Sequence, residues 1–333
     1  MAAVKVLVVR LDNLGDVLLS EPAVRAVAAR ADEVVMLCGP RGRAAAELLP
    51  GLDGVIEWCA PWIDPEPGPV EAAAVDELVA AARGFDRALI FTSFHQSPLP
   101  LALLLRLAGI PWIGGISDDY PGSLLDLRHR CEDDVPETLR MLALAAEAGF
   151  PAPADTRPRL GGPLPDITSL TGGPGYVVVH PGTSVPARAW PPERCAEAVA
   201  VLAASGRRVV VTGHRDEKEL TAYVAGTDGL DLGGRTTLPE LAAVLAGAGA
   251  VVAGNTGPAH LAAAAGTPVV SLFAPTVPAA RWAPYGVPVA LLGDQEAPCR
   301  DSRARECPVA GHPCLASVTA GQVAAAVEEL IGR

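Results

Sequence analysis

Aromatic residues make up only 4% of this 333-residue chain, so its interior must be packed from Ala, Val and Leu. Half of the residues are hydrophobic, enough for two cores at this length. No run of 18 uncharged apolar residues occurs, which argues against a membrane-spanning helix. The opening MAAVKVLVVRLDNLGD has an apolar run too short for a secretory core, and Arg10 and Asp12 interrupt it. A cytoplasmic location is expected. Basic residues are outnumbered, with 26 Lys and Arg against 38 Asp and Glu and a net charge of −12. That argues against nucleic acid or an anionic membrane as the main partner, while allowing a local basic pocket for a small anion.

Several motifs are missing. No G-x-G-x-x-G follows the first apolar run, and there is no G-x-x-x-x-G-K-[ST], H-E-x-x-H or G-x-S-x-G. No Asp-x-Asp pair is present to hold a divalent metal on a sugar-nucleotide diphosphate. Any diphosphate must then be neutralised by protein groups. The seven cysteines are Cys38, Cys59, Cys131, Cys195, Cys299, Cys307 and Cys314. An odd number in a large chain does not suggest a disulfide framework. The last three cluster near His312 but lack the C-x-x-C spacing of a zinc knuckle, so buried or redox-sensitive thiols are expected and no metal or cofactor.

What is present is alternation. Apolar runs at 4–10, 33–38, 54–58, 87–91 and 111–114 read as strands, and 15–30, 41–49, 69–83, 99–108 and 136–149 as helices between or after them. Residues 150–175 are rich in Pro and Gly and read as a linker. The alternation then resumes with strands at 176–180, 208–212, 230–232, 250–253 and 269–273. Helices are expected at 192–204, 216–224, 238–247, 259–265 and 318–331. This is an α/β pattern of two Rossmann-like domains, 1–165 and 172–333, each with a parallel sheet. Ligands of such sheets sit beyond the carboxyl ends of the strands, and the cleft between two domains is a natural site.

Four segments lie at such ends. In Arg10-Leu11-Asp12-Asn13-Leu14-Gly15-Asp16 a strand runs into a loop with two carboxylates, and Gly15 permits a close turn. Asp16 reads alternatively as a helix N-cap or a first-turn acid that favours the helix dipole. In His180-Pro181-Gly182-Thr183-Ser184, continuing to Arg188, hydroxyls and then a cation follow the strand. That suits a diphosphate, or else a solvated loop. In Gly213-His214-Arg215-Asp216-Glu217 a carboxylate follows a strand, where it can accept from ribose hydroxyls or simply begin a charged helix. In Gly254-Asn255-Thr256-Gly257-Pro258-Ala259-His260, Pro258 suits a first helical turn, and the loop aims backbone N–H groups and a helix dipole at an anion. Asn255 as an ordinary helix cap is the alternative.

In this order the four segments resemble glycosyltransferase family 9, the ADP-heptose heptosyltransferases and their relatives. The resemblance rests on VLVVRLDNLGDVLLSEPAVRAV, HPGTSVPARAWPPERCAEAV, TGHRDEKEL and GNTGPAHLAAAAGTPVVSLFAP, with the cysteine-bearing tail CRDSRARECPVAGHPCL. It implies a GT-B fold, with the acceptor held mainly by the first domain and the donor by the second. It implies inverting, metal-independent transfer of a sugar, heptose from ADP-heptose, to a hydroxyl or amine of a glycan or small molecule. By position Asp16 matches the general base. Arg188, Thr183 and Ser184 match the groups at the donor phosphates, and Glu217 the ribose-binding acid. Asn13, Gly15, Asn255, Thr256, Gly257 and His260 complete the donor side. Asn255 stands where heptosyltransferases carry Asp, Asp12 and Asn13 where they carry small hydroxyl residues, and Arg188 where they carry Lys. The alternatives are the same chemistry on a secondary metabolite or another envelope glycan, or a non-catalytic sugar-nucleotide binder.

Overall fold

The computed structural model describes residues 3–131 and 134–332. The chain forms two compact units, Met1–Gly162 and Pro163–Arg333. Residues 163–171, with a short helix at Thr168–Thr171, thus belong to the second unit.

Among the described residues each unit holds one six-stranded sheet. The first contains β1 (Lys5–Arg10), β2 (Glu33–Cys38), β3 (Gly54–Glu57), β4 (Arg87–Ile90), β5 (Trp112–Ile116) and β6 (Leu127–His129). The second contains β7 (Tyr176–His180), β8 (Val209–Val211), β9 (Gly229–Asp231), β10 (Ala248–Gly254), β11 (Val269–Leu272) and β12 (Val289–Leu292). All pairings are parallel, in the orders β3-β2-β1-β4-β5-β6 and β9-β8-β7-β10-β11-β12. In each sheet the chain starts at the centre, builds to one edge, then returns and builds to the other. The direction reverses between β1 and β4 in one unit and between β7 and β10 in the other. Helices must diverge there, and the crevice that opens beyond the strand ends is where such folds take ligands.

Parallel strands covered on both faces need unbroken apolar runs rather than alternation. Val6, Leu7, Val8 and Val9 of β1 are all fully buried, as are Val177, Val178, Val251 and Val252 in the second sheet. One face of the first sheet packs Leu7, Val9 and Leu37 on Leu78, Leu101 and Leu105. One face of the second packs Val177, Val252 and Val270 on Ala198, Leu202 and the last helix, Ala320–Ile331.

The helix expected over 15–30 is two helices, Leu14–Leu19 and Glu21–Ala28. Pro22 has no N–H to continue the ladder, and Ser20 Oγ donates to the Val17 carbonyl at 2.6 Å, marking the break. The helix expected over 41–49 contracts to Arg43–Ala46. Edge strands β6 and β12 were not expected; their side chains are only partly covered, so they lack a buried strand's signature.

Candidate functional site

In the first unit β1 ends on Arg10, whose side chain is wholly buried. The chain then turns through Leu11-Asp12 into Leu14–Leu19, with Asn13 at the N-cap, exposed and making no side-chain capping bond. Gly15 is buried in the first turn. Asp16 lies in that turn too, where the helix dipole favours a negative charge. The loop after β2 presses on this turn: a Cβ on Gly39 would lie 2.6 Å from the Leu11 carbonyl oxygen.

Arg10 is the hub. Its Nε lies 2.9 Å from Asp12 Oδ2, an ion pair without hydrogen-bond alignment. One terminal nitrogen donates to both Asp16 Oδ1 and Ser93 Oγ at 2.9 Å. The other faces Glu137 Oε2 at 3.6 Å and Met141 sulfur at 3.7 Å. Glu137, itself fully buried, pairs with Arg140 at 3.2 Å, and Arg140 donates to the Thr92 carbonyl. Gln96 donates to Asp12 Oδ1 and accepts from the Ser93 N–H. Burial works against the Arg10 charge, but Asp12, Asp16 and Glu137 outweigh it and hold the guanidinium's proton more tightly than usual. Burial also pushes the Asp12 carboxyl above the usual range; Asp16 adds to this and Arg10 opposes it. Among the described residues nothing binds Asp16 Oδ2, and the side chain is 16% exposed.

Sequence reasoning found Asp12 and Asp16 but missed Ser93, Gln96, Glu137 and Arg140. Ser93 and Gln96 follow β4, across the reversal point from β1, and Glu137 and Arg140 start a helix more than a hundred residues away. The one available signal was Arg10 itself: an arginine closing a buried strand needs anionic partners.

In the second unit β7 ends on buried His180, whose Nδ1 lies 3.0 Å from Thr212 Oγ1. Pro181, Gly182 and Thr183 follow, then a 3₁₀ turn at Pro186–Arg188. His180, Gly182, Thr183, Arg188 and Gly254 line one depression over the β7–β10 reversal point. The Thr183 hydroxyl accepts from the Val185 N–H at 3.2 Å, fixing its direction, while Ser184 is exposed. Glu217 caps its own turn, accepting from the His214 N–H at 2.7 Å through Oε2. A Cβ on Gly182 would fall 2.1 Å from Glu217 Oε1, so only glycine lets this carboxylate lie against the β7 loop. Glu217 thus caps a turn and lies beside the β7 loop at the strand ends.

β10 leads into buried Asn255, then Thr256 at the N-cap of helix Gly257–Ala264. The Thr256 side chain makes no capping bond, so its hydroxyl is not spent on the helix. His260 is buried on that helix, and no described residue hydrogen-bonds its Nδ1. Burial, then the Arg188 charge, lowers its pKa to about 4. His180 is likewise lowered to about 4 by burial, with Glu217 opposing. Both are neutral at pH 7. The structure thus gathers Thr183, Arg188, Glu217 and the Asn255–His260 turn at one sheet edge. Asn13, Gly15 and Asp16 belong to the other unit.

His312 turns its Nε2 to the Ala187 carbonyl at 3.1 Å, and Cys307 turns to the Val309 carbonyl. Among the described residues no group of three or more His, Cys, Asp or Glu is placed to hold a metal ion. Burial pushes the Cys195 and Cys314 thiols up to about 12.

Solved structures with this fold include two heptosyltransferases of Escherichia coli. Escherichia coli ADP-heptose lipopolysaccharide heptosyltransferase II superposes with a TM-score of 0.75 at 21% identity, covering 98% of both chains. Escherichia coli heptosyltransferase WaaC with ADP gives 0.71 at 22% identity, covering 98% of this chain and 99% of that one. The fold is therefore GT-B, two Rossmann-like units in one chain. The sequence model of glycosyltransferase family 9 (heptosyltransferase) matches residues 82–312, and the chain belongs to that family. It is 31% identical over 168 residues to lipopolysaccharide heptosyltransferase 3 of Escherichia coli. That match spans 48% of each chain, so the chain spans about half the length of this relative.

Proposed function

We propose that this protein transfers a sugar from a nucleotide diphosphate, ADP-heptose, to a hydroxyl or amine, with inversion and without a divalent metal. The observation that carries the proposal is the Asp16 carboxylate. Arg10 holds its Oδ1 at 2.9 Å, and its Oδ2 is unbound among the described residues. A carboxylate fixed on one oxygen and open on the other is built to accept a proton.

In this reading the acceptor oxygen or nitrogen attacks the anomeric carbon while Asp16 takes its proton. The bond from that carbon to the diphosphate oxygen breaks, and the nucleoside diphosphate leaves from the opposite face. Arg188, Thr183, Ser184 and the turn at Thr256 and Gly257 neutralise the departing charge. Glu217 Oε1 accepts from ribose hydroxyls, while Asn255 and neutral His260 face the sugar and phosphates. We place the reaction in the cytoplasm; no disulfide joins the described cysteines, and among the described residues no helix is long and apolar enough to cross a membrane. The ADP assignment draws on the relative crystallised with ADP.

Two measurements test this. Asp16→Asn is expected to lower turnover by ~10²-fold or more with ADP affinity unchanged; normal turnover removes Asp16 from the mechanism. Calorimetry with ADP, UDP, GDP and dTDP should rank ADP first. Tighter UDP or dTDP binding overturns the donor assignment and leaves the base intact.

A further inference from the structure

We propose that Asp12 sets how readily Asp16 accepts a proton, by competing with it for the single guanidinium of Arg10. The inference rests on the reading of Asp16 as the base.

A carboxylate with an arginine to itself is a poor base, because the cation favours the ionised form. Asp16 does not have Arg10 to itself. Asp12 Oδ2 stands 2.9 Å from Arg10 Nε, while Asp16 Oδ1 takes a terminal nitrogen at the same distance. Glu137 approaches the remaining nitrogen at 3.6 Å and is shared with Arg140. The charged groups of the cluster are thus Arg10 and Arg140 against Asp12, Asp16 and Glu137, and His95 lies within electrostatic reach of Asp12. With every carboxylate ionised, two guanidinium cations face three anions, and one negative charge is in surplus.

One proton relieves that surplus, and the geometry says where it goes. Asp12 has both oxygens engaged, Oδ1 by Gln96 and Oδ2 by Arg10. Both Glu137 oxygens are engaged by Arg140. Asp16 alone among the three keeps an oxygen without a partner among the described residues. A proton arriving from the acceptor lands on Asp16 Oδ2, and Arg10 then serves Asp12 more fully. Asp12 is a positioning residue acting through Arg10.

The test compares pH profiles of kcat for the wild-type chain, Asp12→Asn and Asp16→Asn, with ADP affinity measured alongside. Asp12→Asn keeps the shape and removes the competing charge. The acid limb is expected to move to lower pH by about one unit or more, the scale for removing a neighbouring like charge. The plateau rate should fall severalfold, and the KM for donor should hold. Asp12→Ser, which also keeps a polar partner for Gln96, should move the limb the same way and serves if Asn disturbs the loop. An acid limb that stays in place or moves upward in folded variants overturns the proposal. If Asp16→Asn is inactive while the Asp12 variants match wild type, only the competition falls. If Asp16→Asn turns over normally, the base assignment falls with it.

Discussion

The two sheets share one topology and place their candidate groups at the same point, the reversal between the first and fourth strands, yet fill it with opposite chemistry. At β1 and β4 the space is occupied by the protein's own charges, a buried arginine shared by three carboxylates. At β7 and β10 it is lined by Gly182, Gly254, Thr183, neutral His180 and Arg188, with neutral His260 and the Glu217 carboxylate nearby. The first arrangement is filled by the protein's own charges, leaves one carboxylate oxygen open, and suits proton transfer. The second offers hydroxyl and guanidinium donors over the strand ends and suits a phosphate. Topology fixes where chemistry can happen; the residues after each strand decide which chemistry.

The comparison can be broken most severely at Arg10. Arg10→Met should destabilise the first unit by about 3–5 kcal/mol, because it strands buried carboxylates without a cation. Hydrogen exchange at the β1 amides should rise while β7 and β10 stay protected. Equal protection loss in both units would contradict the independence of the two clusters.

Acid should strike the second unit through its histidines. His180 and His260 are held near pKa 4 in the fold and return to about 6.5 when unfolded. Between those values the unfolded chain binds protons that the native chain does not. Stability is therefore full above pH 6.5 and declines as pH falls toward 4, by about 3 kcal/mol for each histidine at the limit. The denaturant midpoint of the second unit, followed from about pH 7.5 down to about pH 4.5, should drop, and His260→Gln should flatten the slope.

A smaller effect is expected at the donor cation. Arg188→Ala should weaken ADP by roughly 1.5–3 kcal/mol, the range for a hydrogen bond to a charged group, and EDTA should leave activity intact. Undiminished ADP binding would detach Arg188 from the diphosphate. The smallest effect is at Gly182, where an added Cβ displaces the flexible end of Glu217. Gly182→Ala should lower ADP affinity by about 1 kcal/mol, near the low end for overpacking. An unchanged value would show that Glu217 stands apart from the ribose.

Much of this was legible in the sequence, for definite reasons. Parallel strands announce themselves as runs such as Val6–Val9 and Val177–Val179, because both faces are covered. Loops that follow them carry their candidate residues contiguously, so Asp16, Thr183, Arg188 and Thr256 could be picked out locally. Edge strands β6 and β12 were illegible because three or four half-covered residues have no distinctive period. Glu137 and Gln96 were illegible for another reason: nothing near them in the chain marks them as partners of Arg10, and only the sheet order brings them there. The break at Ser20 could have been read from Pro22 alone.

The last helix carries a consequence for synthesis. Val323, Ala326, Val327 and Leu330 of Ala320–Ile331 complete the covering of one face of the second sheet. A ribosome delivers the chain from the first residue onward, and domains fold as they emerge. The first unit has all its strands by His129 and its last long helix by Glu147. The second has its strands by Leu292 but lacks this cover until Ala320–Ile331 leaves the exit tunnel. A nascent chain halted before residue 320 would carry a finished unit beside one with an exposed valine-rich face, a natural client for a chaperone.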